Sequence, residues 1–329
     1  MIEALRQRMN TGVLSFPLTP FTDRGELAPD AFRTYFRTQL AADPAAVFVA
    51  CGTGEFFSLT LDEYGEIVRI AVEETAGRVP VIAGVGYGWA VAAQYAARAA
   101  EAGADGALLM PHYLVKAPIG GLVEQVRKVA EASSLPLIAY QRDYVSFDAA
   151  SVAVLAKIPN VVGLKDGHGD LDQLQRVRLA APEDFLFFNG VATAEMQARA
   201  YSAIGIPAYS SAVHAFAPEI SKAFYTALKA GDDDRVDELL RGFYQPFVEL
   251  RDRRPGYAVS LVKAAARLRD LPVGPVRAPL TDPSAEETTM LKSLLAAGLE
   301  LASGKVGFRK GRRHRCLCRA SPKSASRRS

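Results

Sequence analysis

Lys165 ends the apolar run Val161-Val162-Gly163-Leu164 and is followed by the polar stretch Asp166-Gly167-His168-Gly169-Asp170. An apolar run of this length between turn signals reads as a buried strand. A lysine at the end of such a strand projects into a partly desolvated mouth. Desolvation penalises the ammonium, lowers its pKa and frees a lone pair for attack on a carbonyl. Lysines also end strands for purely structural reasons, so the reading depends on the company this one keeps. If all strand ends share one face, five further segments join Lys165 there. They are Cys51-Gly52-Thr53-Gly54-Glu55, Pro111-His112-Tyr113, Tyr140-Gln141-Arg142, Asn189-Gly190 and Tyr209-Ser210-Ser211. Gly52 and Gly54 allow a tight turn whose backbone N–H groups approach an anion closely, and Thr53 adds a hydroxyl donor, a combination suited to a carboxylate. Tyr140 beside Lys165 would move protons during imine formation. Tyr113, Gly190, Ser210, Ser211 and Arg142 complete the expected substrate-binding set. Singly, each residue has a plainer reading: an ordinary turn, rim packing for the tyrosines, a surface charge for Arg142. Their coincidence on one rim carries the expectation.

That rim requires a particular architecture. Apolar strand candidates recur at Leu14–Leu18, Ala46–Ala50, Val79–Gly84, Gly106–Met110, Leu135–Tyr140, Val161–Lys165, Phe185–Phe188 and Pro207–Ser210. Helical periodicity falls between them at 61–76, 90–102, 119–132, 148–157, 171–181 and 193–203. Strands alternating with helices predict a parallel sheet. Eight such units favour closure into a (β/α)8 TIM barrel over residues 1–218, with a doubly wound sheet as the competitor. A barrel places its active site at the carboxyl ends of the strands. After Pro218 only helical candidates follow, at 219–230, 233–250, 257–270 and 284–302, forming a C-terminal helical extension over 219–303.

Charge divides the chain. The net charge is +3 and the sequence pI about 8.7. Residues 304–329 hold ten Lys or Arg and no Asp or Glu. The remaining 29 basic residues face 36 acidic ones, so residues 1–303 are acidic overall. The tail has no apolar periodicity and reads as disordered and dispensable. A nucleic-acid-binding role for it is the weaker alternative, and the pI is no argument that the globular part binds nucleic acid. No apolar run reaches the length of about eighteen residues that crosses a membrane. Met1–Met9 lacks a signal-peptide core. The cysteines, Cys51, Cys316 and Cys318, support neither a disulfide framework nor a four-ligand zinc site, and the four histidines show no metal-ligand spacing. A cytoplasmic protein without metal or cofactor is expected. Gly84-Val85-Gly86-Tyr87-Gly88 follows a strand but is spaced wrongly for a dinucleotide loop, and no acidic residue ends the next strand.

Several segments together resemble the dihydrodipicolinate synthase/N-acetylneuraminate lyase superfamily, and within it a sugar-acid dehydratase branch. They are Leu14-Ser15-Phe16-Pro17-Leu18-Thr19, Gly52-Thr53-Gly54-Glu55-Phe56-Phe57-Ser58-Leu59, Pro111-His112-Tyr113-Leu114, Gly163-Leu164-Lys165-Asp166-Gly167 and Tyr209-Ser210-Ser211-Ala212-Val213. The C-terminal part adds Gly256-Tyr257-Ala258-Val259-Ser260-Leu261-Val262-Lys263 and Gly274-Pro275-Val276-Arg277, so the resemblance covers about residues 5–300. It implies that Lys165 is the imine lysine and Tyr140 the proton-transfer tyrosine. Thr53 and its glycine turn would hold the carboxylate beside the keto group. Tyr113 would reach across a subunit interface of a homo-oligomer, commonly a tetramer. The implied substrate is a six-carbon keto sugar acid with a carboxylate at each end, dehydrated and decarboxylated through one lysine. Ser210, Ser211 and Arg142 are the candidates for the far carboxylate. An aldolase or lyase on the same scaffold would use the same lysine and tyrosine. Gly52 departs from the superfamily's usual second threonine, and Cys51 replaces a more usual glycine.

Overall fold

The computed structural model describes residues 2–304, so the expectation of a disordered basic tail lies, beyond Gly304, outside the described residues. Eight parallel strands run in sequential order around one sheet: β1 Leu14–Ser15, β2 Ala46–Val49, β3 Val81–Val85, β4 Gly106–Leu109, β5 Leu137–Gln141, β6 Val161–Asp166, β7 Leu186–Asn189 and β8 Ser210–Ser211. β8 pairs with β1, and a single parallel bridge from Asn189 to Tyr209 joins β7 toward β8. The strand order never reverses, so the sheet is a barrel and not doubly wound. β1 and β8 are shorter than their apolar runs. Pro17 cannot donate to a ladder and follows β1 closely, and Pro207 limits the approach to β8.

Helices alternate with the strands. Pro29–Ala41 (α2) fills the β1–β2 crossover, a helix that is not among those expected from apolar periodicity. Its signals are a proline in the first turn and a buried face of Phe32, Tyr35 and Phe36. Leu61–Thr75 (α3) opens on a capping box between Thr60 and Glu63. Trp89–Glu101 (α4), Ile119–Glu131 (α5), Ala149–Leu155 (α6) and Leu171–Ala180 (α7) follow the expected periodicity. The segment expected as a helix over 193–203 splits into a 3-10 turn, Ala194–Gln197, and Ala198–Ala203 (α8). The C-terminal layer comprises Pro218–Ala230 (α9), Asp233–Leu239 (α10), Gln245–Arg251 (α11), Tyr257–Arg267 (α12) and Ala285–Ala302 (α13). The helix expected over 233–250 is interrupted by a π-helical turn, Leu240–Tyr244. Pro246 explains the break, since it cannot donate the i→i−4 bond a continuous helix needs. Ile2–Met9 (α1) sends Leu5 and Met9 into the barrel interior with Leu14, Ala46 and Ala208, closing its amino-terminal mouth.

Strand alternation separates two cores. Phe16, Phe48, Ile82, Leu108, Ile138, Val162, Leu186 and Phe188 fill the barrel. Val47, Val49, Val81, Ala83, Ala107, Leu109, Leu137, Ala139, Val161 and Leu164 face the helices. β6 breaks strict alternation, because Val162 lies inside and Leu164 outside, although they are two residues apart. The cause is a bulge: Leu137 pairs with Val161, but Ile138 pairs with Gly163. The extra residue reverses the phase of the strand, and Lys165 then pairs with the inward-facing Tyr140 and Phe188. Without the bulge Lys165 would point at the helices. A Cβ on Gly163 would lie 2.7 Å from both the Cβ and the carbonyl oxygen of Leu186.

Gly163→Ala should therefore overpack the bulge and destabilise the fold by about 1–3 kcal/mol. Gly120→Ala, where an added Cβ meets nothing within 4 Å, should cost nothing. Thermal unfolding of both variants checks this, and an unchanged midpoint for Gly163→Ala contradicts the tight bulge.

Candidate active site

The reactive face assembles around Lys165. Its Nζ lies 4.1 Å from the ring centroid of Phe16, 4.4 Å from Tyr140 and 5.8 Å from Phe188. The side chain is only 6% exposed, and the described ion pairs include no carboxylate partner for it. Burial therefore dominates its titration and lowers its pKa to about 7, with Arg142 pushing the same way. A large fraction of this amine is neutral near pH 7, whereas an ordinary lysine is almost fully protonated. Gly190 makes room for it. A Cβ there would sit 2.2 Å from Lys165 Cε. The Gly190 carbonyl accepts the Tyr140 hydroxyl at 3.3 Å, and Arg142 Nη1 donates to the same hydroxyl at 3.3 Å. Burial raises the Tyr140 pKa, and Arg142 opposes the rise. Burial thus favours the neutral hydroxyl, and the Arg142 guanidinium lies where it would stabilise the anion. The next residue, Asp166, faces outward and anchors the strand end. It accepts from Gln141 Nε2 at 2.7 Å, from the N–H groups of His168 and Gly169 at 3.2 and 3.0 Å, and from the Tyr201 hydroxyl.

Across the cavity, β2 ends in the turn Cys51-Gly52-Thr53-Gly54-Glu55. It is closed by the Phe56 N–H on the Cys51 carbonyl and the Glu55 N–H on the Gly52 carbonyl, both at 3.1 Å. Gly52 is exposed and Thr53 half-buried, and both line the cavity with Lys165 and Tyr140. Gly54 lies underneath. An added Cβ would meet Ala50 backbone and the Pro17 carbonyl at 3.2 Å, and its own carbonyl accepts Thr19 Oγ1 at 2.7 Å. Gly54 thus supports the turn and does not line the cavity. The group that holds the turn from behind carries no local mark in the sequence. Glu55, in a left-handed conformation at φ 54°, forms a fully buried ion pair with Lys263 of α12, Oε1 to Nζ at 2.6 Å. Its other oxygen accepts the Arg277 N–H at 2.9 Å. Lys263 stands 4.1 Å over the Phe21 ring, and burial lowers its pKa to about 8 against the pull of Glu55. One buried amine with a lowered pKa thus lines the cavity, and a second, paired with Glu55, is held away from its lining.

A cavity of about 530 Å³ is lined by Lys165, Tyr140, Arg142, Gly190, Gly52 and Thr53. A family model described as the dihydrodipicolinate synthetase family matches residues 9–298. The chain belongs to the dihydrodipicolinate synthetase family. A Streptomyces avermitilis relative named "Probable 5-dehydro-4-deoxyglucarate dehydratase 2" is 66% identical over 306 residues, covering 93% of this chain and 92% of its own. A Rhizobium meliloti relative, "Probable 5-dehydro-4-deoxyglucarate dehydratase", is 40% identical over 296 residues, covering 90% and 98%. Among solved structures, dihydrodipicolinate synthase from Bacillus clausii superposes with a TM-score of 0.80 at 28% identity, over 92% of this chain and all of that one.

In this dihydrodipicolinate synthetase family barrel the other expected site residues fall unequally. Ser210 lines the cavity, with its hydroxyl on the Asn189 carbonyl at 3.2 Å. Ser211 does not, because the pleat turns it out of the barrel. Its buried hydroxyl bonds Glu195 Oε1 at 2.5 Å and Ser221 Oγ at 2.9 Å. The expectation that Ser211 contacts substrate is corrected by that placement. Arg142 lines the cavity beside Tyr140, with Asp143 3.8 Å from its Nε. Tyr113 stands at the rim, 69% exposed, beside the equally exposed Leu114. His168 is a loop fastener, its Nε2 2.9 Å from the Val145 carbonyl. The cavity lining also includes residues that no sequence pattern marks, among them Thr193 after β7 and Arg251 at the end of α11. Nothing in local sequence marks a helix-end arginine as part of a barrel mouth.

Two outcomes follow. Modification of Lys165 by trinitrobenzenesulfonate, followed by peptide mass mapping, should rise with pH through a midpoint near 7, because the folded state favours the neutral amine. A midpoint near the ordinary lysine range, about 10.4, contradicts the desolvated site. Lys263→Met should cost about 3–5 kcal/mol in urea unfolding, since it strands a buried Glu55. Adding Glu55→Gln should recover part of the loss, and no loss in the single variant contradicts the clamp.

Proposed function

We propose that the protein converts 5-dehydro-4-deoxy-D-glucarate to 2,5-dioxopentanoate, CO2 and water through an imine on Lys165, in the breakdown of sugar diacids such as glucarate and galactarate. The observation that carries this reading is the inward-facing, desolvated Lys165 beside the Tyr140–Arg142 pair. The names of relatives at 40–66% identity over nine-tenths of the chain or more support the choice of substrate.

The neutral amine attacks the keto carbon while Thr53 and the Gly52 turn hold the adjacent carboxylate. Tyr140 transfers the proton that lets the carbinolamine lose water. The resulting iminium withdraws electrons, so the neighbouring CH2 loses a proton and becomes an enamine carbon. The hydroxyl β to the imine then departs as water, leaving a double bond conjugated to the iminium. The far carboxylate now sits on a carbinol carbon one vinyl unit from the iminium. Loss of CO2 sends its electron pair through the double bond to nitrogen. The dienamine and enol take up protons, and hydrolysis returns Lys165 and the dioxo acid. One lysine thereby serves as sink for both eliminations, a role that needs no separate cofactor. Arg142 stabilises the Tyr140 anion each time the tyrosine gives up its proton. We also read the exposed Tyr113 and Leu114 beside the cavity rim as the place where a second copy of the chain would complete a homo-oligomer.

Mixing the protein with 5-dehydro-4-deoxy-D-glucarate should release CO2 and one equivalent of 2,5-dioxopentanoate. Lys165→Ala should abolish both, and Tyr140→Phe should lower kcat by about 10²–10⁴-fold. Pyruvate release without CO2 would replace the dehydratase with an aldol lyase on the same lysine. Appreciable turnover by Lys165→Ala would remove the imine.

A further inference from the structure

We infer that Arg251, held in place by Thr193, is the cationic contact for the far carboxylate of the substrate and makes the site selective for keto acids charged at both ends. The inference rests on the imine reading above and adds the determinant of substrate class.

Thr53 of the β2 turn, the loop Gly190, Val191, Ala192 and Thr193 after β7, and Arg251, the last residue of α11, all line the cavity. The C-terminal layer adds Phe247, Ala258, Val259 and Val262 to the same lining. An arginine that is 14% exposed among such residues acts through a low dielectric and is worth more than a surface charge. Its Nη1 donates to Thr193 Oγ1 at 2.6 Å, and its Nε to Asp252 Oδ1 at 2.8 Å. Nη2 has no hydrogen-bond partner among the described residues.

Thr193 is the second observation. It sits at φ 56°, ψ 66°, a left-handed conformation that β-branched residues rarely adopt. Strained backbone of this kind persists where surrounding contacts hold it, and it concentrates at ligand clamps. Here the strain places the hydroxyl under the guanidinium at the cavity wall.

The other cavity arginine, Arg142, donates to the Tyr140 hydroxyl beside Lys165, so on the imine reading its charge serves proton transfer at the keto group. Ser210 is neutral and its hydroxyl is donated to Asn189. Arg251 also fits the chemistry of decarboxylation. The leaving carboxylate must give up its charge, so a contact that bound it most tightly in the ground state would slow its loss. With Nε on Asp252, the side-on fork that grips carboxylates most firmly is closed, and an end-on contact remains.

The test separates charge recognition from turnover. Wild-type protein is mixed with 2-oxoadipate or with 2-oxohexanoate, a keto acid of equal length lacking the far carboxylate, and trapped with borohydride. Covalent adduct is counted by intact mass across ligand concentration. Wild-type protein should reach half-maximal trapping at about ten- to hundredfold lower 2-oxoadipate than 2-oxohexanoate, the range of a hydrogen bond to a charged group. Arg251→Ala and Arg251→Gln should trap both ligands alike, while Arg251→Lys keeps part of the preference. Thr193→Val should weaken the preference and Thr193→Ser preserve it. An unchanged preference in Arg251→Gln, with a native circular dichroism spectrum, overturns the inference. Wild-type protein that prefers 2-oxoadipate yet releases no CO2 from the sugar acid would fail the proposed reaction while leaving the contact intact. Failure of wild-type protein to trap either ligand would overturn both.

Discussion

The site depends on one constraint: an amine must be kept out of water without a carboxylate to neutralise it. Burial of Lys165 among Phe16, Tyr140 and Phe188 lowers its pKa to about 7. A carboxylate placed beside it would return the proton and end its nucleophilicity. Much of the barrel's local structure serves this arrangement. The β6 bulge turns the lysine inward, Gly190 clears its path, and Asp166 spends its charge on the outer side of the sheet. The contrast with Lys263 is instructive. That lysine is equally buried, but it has Glu55 at 2.6 Å and serves as a structural cation.

The helices after the barrel belong to the site as much as the strands do. α12 supplies Lys263, which holds the Thr53 turn from behind, and three apolar residues of the cavity wall. α11 ends at Arg251. Two parts of the cavity lining are therefore tied to the C-terminal layer, the β2 turn through Glu55 and Lys263 and the loop after β7 through Thr193 and Arg251. On the inference drawn for Arg251, substrate charge is read by a residue far from Lys165 in the chain.

Much of this was legible in the sequence. Eight apolar runs alternating with helical periodicity gave the barrel, because strands buried on both faces read as continuous apolar segments. Assigning chemistry to strand ends then followed from the architecture. The rest was not legible, for separate reasons. Pro17 and Pro207 shortened the end strands, and α2 was passed over despite Pro29 and its buried aromatic face. The phase of β6 depends on a bulge whose only local mark is Gly163, and whether Ser210 or Ser211 enters the cavity depends on pleat and register. Glu55 with Lys263, and Thr193 with Arg251, meet across 208 and 58 residues of chain, where no periodicity connects them.

The most direct measurement is the position of the covalent bond. The protein is incubated with 5-dehydro-4-deoxy-D-glucarate, reduced with borohydride, digested and sequenced by tandem mass spectrometry. The account predicts added mass on Lys165 alone. Added mass on Lys263, the other buried lysine with a lowered pKa, or on no lysine at all, would contradict it.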